Sequence, residues 1–277
     1  MYSQLSPLLE KYRIMLEDYL PARGVKLNVP SLKQRLFLDL ANIHRKLIKS
    51  LCILISEKDT EYDIAIYAIC RALTANALTT YYFRSFVNSQ GEIDENMLSN
   101  ELSALECEFV KFEIKINELQ CKYQDASLKD FPAIYSKLYN GITIKKRTDF
   151  HTSIVMESLK LDNKLLTEEQ KMKVAILKLS QNKSNILNTL ILNKLFTQYY
   201  HYNPVGGKLS RTSNINRCSE ITYSICCTID ALIGSLTCLK TVLPNTDEFI
   251  NKSIIIGKEL DLLIDNPFVI RYEPFGE

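Results

Sequence analysis

Apolar residues Leu98, Leu102, Leu105, Phe109, Phe112, Ile116, Leu119 and Tyr123 recur at alternating spacings of 4 and 3. This rhythm holds one stripe on one face of an α-helix, whereas a strand, with its period of two, would scatter the same side chains to both faces. A helix over about residues 96–124 is expected. Its seam packs against an antiparallel neighbour or across a coiled-coil-like dimer. Cys107, Ile114 and Cys121 repeat at seven on the opposite side, where a two-stranded coiled coil would carry charge. Two apolar faces favour a core helix within one bundle over an oligomer interface. The second expected helix offers a matching stripe in Leu36, Leu40, Ile43, Leu47, Leu51 and Leu54.

Helix starts are legible elsewhere. Ser31-Leu-Lys-Gln34 follows Pro30 and has the capping-box form, in which the serine oxygen and the glutamine side chain satisfy orphan amides reciprocally. Thr167-Glu-Glu-Gln170 repeats the form, with acids in the first turn where the helix dipole favours them. Thr60, before Glu61 and Asp63, is a further start. Helices are expected at about 3–19, 31–56, 60–88, 96–124, 127–140, 150–163, 167–201, 216–243 and 247–265. The tail over 266–277 reads as extended. With only 8 Gly and 8 Pro, the chain lacks the turn formers of a β fold. The fold class that follows is all-α, a helical bundle of about eight or nine helices with long antiparallel hairpins. Residues 1–277 read as a single helical domain. Gly141–Phe150 breaks the helical pattern and could divide an N-terminal bundle, 1–140, from a C-terminal one, 150–265.

The charge balance of 34 basic and 32 acidic residues gives no chain-wide attraction for nucleic acid or an anionic membrane. Charged residues interrupt Met1–Leu20, so it does not read as a signal peptide. The 8 cysteines show no C-x-x-C spacing and are expected as reduced, buried thiols in a cytoplasmic protein. The three histidines, His44, His151 and His201, are isolated, so no metal or other cofactor is implied. His44, beside Arg45 on an amphipathic helix, reads as a helix-surface residue.

Two segments are apolar nearly all round yet hold one charge each: Arg71 within Ile64–Leu78, and Asp230 within Ile221–Leu239. In the latter, Ile221, Ile225, Ile229, Leu232, Leu236 and Leu239 form a one-sided stripe, and the other positions are small or polar. A central aspartate costs about 3 kcal/mol in a membrane span, so a buried helix is expected and no membrane association. Gly234 and Ser235 would let another helix approach closely. A lone buried charge is costly, so Arg71 and Asp230 are expected to pair, or to share a polar network with Tyr67, Asn76 and Tyr223.

Tyr199, Tyr200, His201, Tyr202, Lys208 and Arg211, followed by Arg217, combine aromatic faces, an imidazole and cations around a glycine-bearing loop. Those residue types suit stacking and phosphate contacts, and equally a surface loop over an aromatic helix end. Gly206-Gly207-Lys208 is no Walker motif: it lacks the first glycine and follows a helix. Lys145-Lys146-Arg147 with His151 is a second basic cluster, in which His151 could act as general acid or base. No G-x-S-x-G or H-E-x-x-H is present.

Ala65–Arg84, with Arg71 at its centre, resembles the early arginine-bearing helix of uncharacterised bacterial proteins related to the HEPN-like group of defence and toxin–antitoxin systems. Tyr199–Ser210 is similar to their tyrosine-, histidine- and serine-bearing segment. The resemblance implies a helical fold. In nuclease members it implies an R-x4-6-H motif whose histidine acts at the scissile phosphate. Arg147-Thr-Asp-Phe-His151 is one residue short of that spacing. The expected function is thus a non-enzymatic helical interaction or regulatory protein that binds a protein partner or itself through helix faces. The alternative is a HEPN-like protein acting on RNA or a nucleotide through the loop from His201 to Arg217, or through Arg147 and His151 brought together across a dimer.

Overall fold

The computed structural model describes residues 2–20, 31–56, 63–88, 91–102, 104, 166–200 and 214–264. Its regular elements there are helical, as the all-α reading requires. They are α1 (Leu5–Tyr19), α2 (Leu32–Ser56), α3 (Asp63–Arg84), α4 (Glu168–Lys178), α5 (Lys183–Tyr200), α6 (Asn214–Thr237) and α7 (Thr246–Asp261). A short 3-10 turn at Ser180–Asn182 lies between α4 and α5. The chain divides into two compact units, one of residues 1–91 with 171–277, the other of residues 92–170.

In the second unit, the helix that carries the opening seam starts at residue 95. Asp94 caps it, its Oδ1 accepting the Met97 amide at 3.0 Å. Leu98 is fully buried. From Leu105 to Tyr123 the seam lies outside the described residues, as do the expected helices at 127–140 and 150–163 and the Gly141–Phe150 stretch. Thr167 and Gln170 form the expected capping box: each side chain accepts the other residue's backbone amide, at 3.3 and 2.9 Å.

In the first unit, α3 and α6 form the centre. Helices α2 and α5 each pack on both, α7 packs on α6, α1 packs on α2, and α1 meets α7. Paired side chains give the directions. Arg71 and Thr74 of α3 meet Thr197 and Asn193 of α5, so those helices run antiparallel. Tyr81 meets Asp230 and Arg84 lies on Gly234, so α3 and α6 run in the same sense. The Ser31–Gln34 capping box also forms, at 3.2 and 3.3 Å.

The six expected apolar positions from Ile221 to Leu239, five on α6 and Leu239 in the turn that follows it, are all buried. Its small polar residues are buried as well, because neighbours cover the helix on several sides. Thr222, Ser224 and Thr228 satisfy their hydroxyls on carbonyls of their own helix, those of Cys218, Ile221 and Ile225. No described helix is long and apolar enough to cross a membrane. The six described cysteines are free, and burial pushes the thiols of Cys52, Cys70, Cys226 and Cys227 up to about 12.

Three sequence expectations need correction. The single helix expected over 167–201 is broken at Leu179, whose backbone (φ −113, ψ 53) leaves the helical region. Ser180 and Asn182, which compete for backbone or distant partners, occupy the break. The buried face of α2 is rotated by about one residue from the leucine stripe. It runs through Phe37, Leu40, Ala41, His44, Ile48, Leu51, Cys52 and Ile55, so Leu40 and Leu51 of the expected stripe are buried while Ile43 is 43% exposed. Alanine and histidine contribute little to a hydrophobic pattern, so the true seam was masked. His44 is therefore not a surface residue: it is 3% exposed and hydrogen-bonds through Nε2 to the Tyr12 hydroxyl at 2.9 Å.

Burial lowers the His44 imidazole to about 3, well under its ordinary value, so it is neutral in the folded protein. The unfolded chain binds a proton there below about pH 6.5, so the stability that neutral His44 supplies is full above that pH. It is lost as pH falls from there toward 3. Between pH 7 and 5 the wild type should lose about 2 kcal/mol more than His44→Gln, which keeps a hydrogen-bonding group but cannot titrate. Urea denaturation at the two pH values measures this. Equal losses would refute the assignment.

Candidate functional site

Helix α1 buries Leu5, Leu9, Tyr12 and Leu16, the inward stripe of an amphipathic helix, and α7 buries Phe249, Ser253, Ile256 and Leu260. Their outer edges are not fully covered. Ile14 on α1 is 46% exposed and Ile255 on α7 is 54% exposed. Between them lies an open groove of about 590 Å³ with Ile14, Met15, Tyr19, Phe249, Ile255 and Ile256 in its lining.

The two helices run antiparallel, held at both ends. At one end Lys11 Nζ lies 2.8 Å from Glu259 Oε2. At the other the Tyr19 ring stacks on Phe249, centroids 4.1 Å apart, and its hydroxyl donates to Thr246 Oγ1 at 2.7 Å. Asn245 starts α7 from a left-handed conformation, φ 55, which asparagine tolerates better than most residues. Burial raises the Tyr19 phenol above its ordinary range. The groove's rim is charged: Lys11 and Asp18 on α1, Glu248 and Lys252 on α7. Lys252 pairs with Glu248 at 2.7 Å, which holds that carboxyl below its ordinary value. An apolar floor with a rim of mixed sign can receive a helix face from another polypeptide.

The residues singled out for chemistry fare differently. Arg71 and Asp230 do not pair. Asp230 Oδ2 accepts from the Tyr81 hydroxyl at 2.7 Å and from Asn182 Nδ2 at 2.8 Å. Arg71 Nε donates to Thr197 Oγ1 at 3.1 Å. The reason is geometric. Asp230 faces Tyr81, and at 1.5 Å of rise per residue Arg71 lies about 15 Å away along α3. Burial and the neighbouring carboxylate raise the Tyr81 phenol well above its ordinary range, so it remains a donor. The proposed network is dispersed too: Tyr67 stacks on Phe196, Asn76 donates to the Leu40 carbonyl at 3.1 Å, and Tyr223 accepts from Asn188. Gly234 does admit a close neighbour, yet what lies against it is the Arg84 guanidinium and not a helix backbone.

Tyr199 and Tyr200 form the last turn of α5, and Arg217 lies half-buried in the first turns of α6. Arg147, His151, His201, Tyr202, Lys208 and Arg211 lie outside the described residues. The groove itself was missed by the sequence reading. Its available signal was the second apolar edge on each helix, Ile14-Met15 and Ile254-Ile255, beside the buried stripe. No family model matches the chain, and no curated protein or solved structure matches it.

If Asp230 serves Tyr81 and Asn182, Asp230→Ala should cost about 1–3 kcal/mol, because it removes the charged acceptor of both and leaves the buried phenol only the Cys227 carbonyl at 3.3 Å. In a double-mutant cycle with Arg71→Ala, read by urea denaturation, coupling should stay within about 0.5 kcal/mol. A clearly larger coupling would reinstate the direct pair.

Proposed function

We propose that this chain is a non-enzymatic helical interaction or regulatory protein of the cytoplasm, and that it binds a protein partner through the α1/α7 face. The observation that carries this reading is the open groove, where Ile14 and Ile255 stand about half-exposed over an apolar floor. Side chains that a helical partner would bury are already ordered there: Tyr19 is held by stacking and a hydrogen bond, Lys11 and Lys252 by ion pairs. Ordering these groups beforehand lowers the entropy cost of association. Buried titratable groups such as His44, Tyr12 and Tyr81 face packed neighbours and not the groove, which suits a scaffold better than a reaction centre.

A photo-crosslinking amino acid at position 255, introduced in cells, should yield a discrete adduct. The same residue at 191, an exposed apolar position of α5, should not. Absence of any adduct at 255 would sink the reading. Nucleic acid retained by the purified protein, seen as excess absorbance at 260 nm, would instead favour the HEPN-like alternative through Arg147, His151 and His201.

A further inference from the structure

We infer that the α1/α7 face is self-complementary and that its partner is a second copy of this chain; the inference rests on the reading of that face as a docking surface. On α1, Lys11 and Asp18 stand symmetrically about Ile14 and Met15. On α7, Lys252 and Glu259 stand symmetrically about Ile255 and Ile256. Because the helices are antiparallel and Lys11 meets Glu259, these two midpoints lie at the same level along the groove. The face thus has a centre, apolar on both helices, with opposite charges at equal distances on either side of it.

A two-fold axis lying in such a face has two possible directions. Across the helices, it sets Lys11 against Asp18 of the second copy and Lys252 against Glu259 of the second copy. Along the groove, it sets Asp18 against Lys252 of the second copy and Lys11 against Glu259 of the second copy. In both directions the apolar residues Ile14, Met15 and Ile255 meet the apolar centre of the second copy, and Asp18 meets a lysine. Asp18 is also the one rim charge that makes no ion pair among the described residues, whereas Lys11, Glu248 and Lys252 have partners within the chain. A second copy completes it. The result is an antiparallel four-helix arrangement of the kind that packs two helix pairs face to face.

The size of the face sets the strength. Helices of 15 and 16 residues are about 23 Å long, and two side by side present roughly 450 Å² per copy. The total of about 900 Å² falls below the standard size of stable interfaces, so a reversible dimer of roughly micromolar dissociation constant is expected. Opposed charges of this kind contribute more to register and partner choice than to affinity.

The test is light scattering on the full chain across a concentration series. The wild type should pass from monomer to dimer. Asp18→Lys should weaken self-association by about tenfold, since it sets like charges together in either direction. Mixing Asp18→Lys with Lys11→Asp should restore a dimer if the axis crosses the helices; mixing it with Lys252→Asp should do so if the axis runs along the groove. Circular dichroism confirms that each variant is folded. Overturning results are a wild type that stays monomeric, an Asp18→Lys variant that dimerises as well as wild type, or failure of both mixtures. A monomer in scattering that still crosslinks from position 255 to a different protein would overturn self-pairing alone and leave the proposed function standing. No adduct at all would remove both.

Discussion

Tyr81 reaches from α3 to the Asp230 carboxylate on α6, and Asn182 closes on the same oxygen from the 3-10 turn that precedes α5. A half-buried carboxylate among packed helices has to be satisfied, and here two neutral donors do it in place of a cation. The consequence is positional. Three chain segments, far apart in sequence, are tied at one point of the central packing, which fixes how α3 and α6 slide against one another. The buried stripe of α6 and the buried positions of α3 then interlock around that fixed point.

The same economy runs through the rest of the unit. Threonines and serines on α3, α5 and α6 fold their hydroxyls back onto their own helices, so these hydroxyls stay satisfied where neighbouring helices cover them. Several of the polar side chains that cross to a neighbour are amides: Asn193 reaches Thr74 and the Arg71 carbonyl, and Asn76 reaches the Leu40 carbonyl. These contacts set register between helices that dispersion alone would let slip. Tyr12 and His44 play that part between α1 and α2.

The α1/α7 groove follows from this plan. The centre is completed by α2, α5 and α6 around α3, so α1 and α7 are outer helices, each held by one inner neighbour and by each other. An outer helix with one inward stripe needs nothing apolar on its far edge. Ile14 and Ile255 on those edges are therefore surplus to the packing of the helices against one another.

Much of the architecture was legible in the sequence because it is local. The two capping boxes, the stripe of α6 and the extents of α1, α2 and α7 depend on residues within a few turns of one another. The rotation of α2 was not legible, because Ala41 and His44 are buried by what packs on them and not by their own hydrophobicity. Nor were the partners of Arg71 and Asp230. Sequence indicated that neither charge could be buried alone; in the structure both residues are only half-buried. Which donors reach Asp230 depends on where Tyr81 arrives along α3 and where the chain breaks before α5, and no local pattern encodes that. The groove has the same origin: periodicity can mark an apolar residue, but only the arrangement of all the helices decides whether its neighbour is another helix or open solvent.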